Sequence, residues 1–91
     1  MMQKISFFNS SSKPQTVVLE PFAADYTLVP GEVLVFVAEG VEGDFMFSAD
    51  VRARDHVLVY TDGVCDFVSV FTGDGMRVDV GYNRHLMETE W

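Results

Sequence analysis

Six consecutive apolar residues, Val33-Leu34-Val35-Phe36-Val37-Ala38, constrain this chain more than any other stretch. In a strand, Val33, Val35 and Val37 point to one side and Leu34, Phe36 and Ala38 to the other. Valine and phenylalanine suit a pleated surface better than a helix. A segment apolar on both faces predicts a central strand covered on both sides. Pro30-Gly31 precedes it and predicts a tight turn, because proline presets φ and glycine accepts a positive φ. Tyr26–Val29 reads as a short strand before that turn, and Pro21–Asp25 as the loop in front of it.

The rest of the chain reads as further strands. Lys4–Phe8 and Thr16–Glu20 are two of them, joined by the polar and mobile Asn9–Lys13 loop. Asp44–Val51 alternates, with Phe45, Phe47, Ala49 and Val51 on one side, as a half-buried strand does. Arg52–Asp55 is polar and reads as a turn.

Asp62-Gly63 and Asp74-Gly75 each sit between apolar runs, the pattern of a two-residue hairpin. The first turn then pairs Tyr60 with Cys65 and Leu58 with Phe67. The second pairs Phe71 with Val78. The product is a three-stranded antiparallel meander. Its last strand carries Arg77 and Asp79 on one side, so the opposite face is the predicted core: Leu58, Tyr60, Cys65, Phe67, Phe71, Met76, Val78 and Val80. Val57, Val59, Val68 and Val70 are left on an outward face. An apolar patch there predicts contact with something. The expected role of these four valines is a homodimer interface, sealed in part by Leu86, Met87 and Trp91 of the tail.

The 91 residues form a single domain, 1–91, with 82–91 as a C-terminal tail. A core this small favours extra burial through self-association. The lone Cys65 excludes an internal disulfide. The apolar run in MMQKISFFNSSS is too short for a secretory signal, and no stretch reaches membrane-spanning length. The expectation is a cytoplasmic protein with no membrane partner. Six basic residues against fourteen acidic ones give a net charge of −8. That lacks the basic footprint nucleic-acid binding requires.

No motif demands a particular chemistry. His56 and His85 are far apart in sequence, and no cysteine–histidine spacing suits a metal. Cys65 lies on the predicted core face, away from a base that would activate it. Most carboxylates, among them Asp25, Glu39, Glu42, Asp62 and Asp74, fall in predicted turns, where aspartate binds local backbone. Glu20 and Glu32 flank the Pro30-Gly31 region and are candidates to meet in space. Gly73-Asp74-Gly75 has no helix after it and is not a phosphate loop. Phe22, Tyr26, Tyr82 and Trp91 are the candidates for an aromatic sugar-binding surface, against the commoner role of core packing.

Leu19-Glu20-Pro21-Phe22, followed by Tyr26, Leu28, Pro30-Gly31-Glu32, Leu34 and Gly40, resembles a group of small uncharacterised bacterial all-β domains. Their signature runs Leu-Glu-Pro-Trp and then Tyr-x-Leu-x-Pro-Gly-Glu; this chain has Phe22 where they have tryptophan. The resemblance implies a compact all-β fold and brings no activity with it.

These readings predict a small antiparallel β-sandwich or barrel-like roll of about eight short strands. They predict a non-enzymatic binding or assembly module acting as a homodimer, with no catalytic, cofactor or metal residues. Two alternatives are a cupin-like barrel for a small ligand or metal, although the His-x-His pair of that family is missing, and an acidic inhibitor of a basic protein.

Overall fold

The computed structural model describes residues 1–88. It is an all-β sandwich of eight strands in two four-stranded sheets. The strands are β1 (Met2–Phe8), β2 (Gln15–Glu20), β3 (Ala24–Leu28), β4 (Val33–Glu39), β5 (Glu42–Ala53), β6 (His56–Val64), β7 (Phe67–Thr72) and β8 (Arg77–Val78). A short 3-10 helix, η1 (Arg84–Glu88), follows. Sheet A has the order β1-β4-β7-β8 and sheet B the order β3-β2-β6-β5. Every pairing is antiparallel except β2 with β6, which run parallel. No helix among the described residues is long and apolar enough to cross a membrane.

The six-residue apolar run becomes β4, and it is central, between β1 and β7. Leu34, Phe36 and Ala38 are completely buried. Phe36 meets Phe7 and Tyr26 edge-on, at ring-centroid distances of 5.7 and 5.4 Å, and so joins the two sheets. Such edge-to-face pairs add to simple area burial. Val17, Leu19, Ala24, Leu28, Val59 and Val70 complete the centre of the core. The Val29–Glu32 turn carries Pro30-Gly31 at its middle, closed by Glu32 N–H donating to the Val29 carbonyl.

Two expectations about the second half are overturned. β6 and β7 do not form a hairpin; they lie in different sheets, and Cys65-Asp66 carries the chain from one to the other. Cys65 is therefore half-buried in a crossover, not on a core-facing strand. β6 runs on through Asp62 and Gly63 because β5 bulges against it: Glu42 pairs with Val64 and Met46 with Asp62. A Cβ on Gly63 would come 3.0 Å from Phe45 Cα, so the glycine serves close approach here and not a turn.

The second error is one of register. The β7–β8 loop has three residues, Gly73–Gly75, because Thr72 N–H donates to the Met76 carbonyl. Phe71 thus pairs with Arg77 and Val70 with Val78, one step from the expected alignment. A single-residue slip turns every side chain of a strand to the other face. Val57, Val59, Val68 and Val70 accordingly point inward. Val59 and Val70 are 0% and 2% exposed, and Val57 and Val68 pack against the core they help to form. Four valines inside one sandwich are not an outward interface. Of the residues expected in the core, Phe67, Met76 and Val80 are exposed instead.

The tail also settles elsewhere than expected. η1 packs on β3 of its own chain, and Met87 lines a cleft with Pro14 and Arg54. Trp91 lies outside the described residues.

Candidate functional site

The strand period assigns one set of side chains to the outer side of sheet A. On the outer side of sheet A, β1 presents Met2, Lys4, Ser6 and Phe8, and β4 presents Val33, Val35, Val37 and Glu39. β7 adds Phe67, Ser69 and Phe71, and Arg77 stands beside Phe71 on β8. Val35, Val37 and Phe71 form the floor of an open groove of about 370 Å³, with Met2, Lys4 and Glu39 around it and the β7–β8 loop at one end. Val35 and Phe71 are half-buried, and Val37 and Ser69 at the middle of the face are only 7% and 4% exposed. The face is also unusual in charge. Its strands carry Lys4 and Arg77 against Glu39, with Asp74 in the loop at the groove's end, on a chain of net charge −8.

A second feature is a cleft of about 290 Å³ at the end of the sandwich where β2 turns into β3. Leu19, Phe22, Ala24 and Tyr26 line it from sheet B; Val68 and Val80 line it from the other side, with Asp66 from the crossover. The turn Glu20–Ala23 contains a cis Glu20–Pro21 bond, and Ala23 has a left-handed φ of 54°. That turn leaves Phe22 56% exposed beside the cleft while Tyr26 is buried in its wall. Sequence reasoning placed Phe22 and Tyr26 together as candidate aromatics, but put Asp66 at the rim of the valine face and not beside them; the sheet crossover brings it to this cleft.

The opposite end of β3 is held by a polar clasp. The Tyr82 hydroxyl donates to Glu32, whose other carboxylate oxygen accepts the Val29 N–H at 3.0 Å. Burial, and then the adjoining Glu32 carboxylate, push the Tyr82 phenol up to about 12. Near the start of β3, Arg84 grips Asp25 through both Nε, at 2.8 Å, and Nη2. The hydrogen bond from Arg84 holds the Asp25 carboxyl below its ordinary value. Asn9 is buried, and its amide nitrogen donates to the Lys13 and Leu28 carbonyls at 2.8 and 2.9 Å. Its carbonyl oxygen accepts from the Ser11 N–H and hydroxyl. The Asn9–Lys13 loop, expected to be mobile, is thereby tied to β3.

The remaining candidates do not assemble. Glu20 and Glu32 sit near opposite ends of β3 and do not meet. Tyr82 is engaged with Glu32, so it does not join Phe22 on a common aromatic surface. His56 begins β6 and His85 lies in η1. Among the described residues, no three His, Cys, Asp or Glu side chains converge to hold a metal ion. Comparison with known proteins finds no matching family model, no matching curated protein and no matching solved structure.

Proposed function

We propose that this protein is a non-enzymatic assembly module that acts as a homodimer, joined through the outer face of sheet A. The observation that carries the reading is the apolar groove on the outer side of β4. Val35 and Phe71 are half-buried and, with the 7%-exposed Val37, floor an open groove of apolar side chains. Contiguous apolar surface of this kind marks contact sites.

Charge selects a second copy as the occupant. Fourteen acidic residues make most approaches between two copies repulsive. The strands of this face bring two cations and one anion from each copy, with Asp74 in the loop at its end, so self-approach is less opposed here than the net charge of −8 implies. A two-fold pair would use the same patch twice.

The size of the patch sets the strength. Three strands about 4.8 Å apart and about seven residues long give a flat footprint of roughly 350 Å² per copy. A standard interface buries about 800 Å² on each side. The expected dimer is therefore weak and dissociates within the micromolar range.

Sedimentation velocity over a dilution series tests this. The parent should pass from twice the chain mass to a monomer on dilution. Val35→Lys should stay monomeric throughout and keep the parent's melting temperature, because its side chain points away from the core. A parent that is monomeric at every concentration, or a Val35→Lys variant that dimerises as the parent does, overturns the reading.

A further inference from the structure

We propose that the cleft between the Glu20–Ala23 turn and the Asp66 crossover binds an organic cation, an ammonium group carried on an apolar body. The cleft lies apart from the Val35–Val37–Phe71 groove, and the inference does not depend on self-association.

The lining gives the chemistry. Leu19, Ala24, Val68 and Val80 supply apolar wall, Tyr26 supplies a ring in that wall, and Phe22 stands exposed at the mouth. A volume of about 290 Å³ admits a small molecule of several heavy atoms. Asp66 is the only ionisable group of the lining besides the buried Tyr26 phenol. That phenol is pushed upward by burial and stays neutral. Aromatic faces attract cations, and an ammonium beside a carboxylate gains further when partly desolvated.

The Asp66 side chain is exposed, its carboxylate is available, and its backbone is fixed. It makes no hydrogen bond or ion pair among the described residues, in a protein whose Asp25 is paired with Arg84. Asp66 N–H donates to the Glu39 carbonyl at 2.8 Å, which fixes its backbone. Its side chain packs over Gly40, where a Cβ would stand 2.1 Å from Asp66 Oδ2. Any residue but glycine at position 40 would displace the carboxylate, and φ there is +67°, which glycine accepts without strain. An unpaired anion set beside an aromatic, apolar hollow is complementary to a cation with a greasy body; a neutral apolar molecule would leave the carboxylate unused.

The test compares choline with its neutral isostere, 3,3-dimethylbutan-1-ol, by amide chemical shifts on the full-length labelled chain. Choline should give saturable shifts in the millimolar range at Phe22, Ala24, Asp66 and Val80. The neutral isostere should bind about tenfold more weakly or not at all. Asp66→Asn and Phe22→Ala should each weaken choline by about tenfold. Asp44→Asn, an exposed carboxylate outside the lining, should change nothing, and Val35→Lys should leave choline binding intact. Equal binding of the two probes overturns the proposal, as does the absence of saturation. Choline shifts scattered over the acidic surface and indifferent to Asp66→Asn overturn it too. If Asp66→Asn were to disturb the fold, the two-probe comparison on the parent still decides.

Discussion

Val59→Ala reports directly on which face of β6 is the inside. Val59 is 0% exposed and stands between Leu19 on β2 and Ala49 on β5. The substitution removes two carbons' worth of apolar burial, about 1.6 kcal/mol at about 0.8 kcal/mol per carbon. A residual cavity of a few tens of Å³ adds about 1 kcal/mol. The sum, about 2.5 kcal/mol, corresponds to a drop of roughly 10–20 °C in melting temperature for a domain of this size. Thermal melts by circular dichroism should be run at two protein concentrations spanning the monomer–dimer range. Because Val59 packs within one chain, the loss should be the same at both. On an outward interface the loss would shrink in the monomer, toward the roughly 0.5 kcal/mol typical of surface changes. A variant within about 0.5 kcal/mol of the parent at the lower concentration would refute the inward placement of the valine face.

Asn9→Ala should cost about 2 kcal/mol in denaturant unfolding, since it strands the Leu28 carbonyl in the interior and frees the Asn9–Lys13 loop. Thr27→Val should raise stability by about 1 kcal/mol, because Thr27 Oγ1 is buried without a partner and valine has the same shape; a loss on melting would show that the hydroxyl is satisfied after all. The Tyr82 phenol, raised to about 12 in the folded chain from an ordinary 10, contributes stability that is complete below pH 10 and lost as pH rises toward 12. Unfolding free energy followed across pH 9–12 should fall more steeply for the parent than for Tyr82→Phe, and parallel curves would count against the Glu32 contact.

The strands themselves were legible from local pattern. β4 was visible as an unbroken apolar run, and β5 as an alternation of Phe45 and Phe47 with Asp44 and Met46. The Pro30-Gly31 turn followed from the φ preferences of those two residues alone. Both halves of the aromatic cleft wall, Phe22 and Tyr26, were in hand as candidates. What failed was pairing. Asp62-Gly63 looks like a hairpin turn to any local reading, yet it sits in a continuous strand because Phe45 of β5 presses on Gly63. Asp74-Gly75 is a true turn, but Gly73 joins it, and the loop of three shifts β8 by one residue against β7.

The chain by itself thus determined the all-β class, the approximate place of each strand, the centrality of β4 and the acidic surface. Those depend on φ preference, side-chain period and charge, which act over a few neighbouring residues. Only the tertiary structure decided that β6 and β7 part into different sheets, that the four valines turn inward, and that Asp66 comes to rest beside Phe22. Each of these depends on contacts between residues distant in sequence. A one-residue change of register costs little locally and exchanges the two faces of a strand, so burial across the whole sandwich, not the turn, makes the choice.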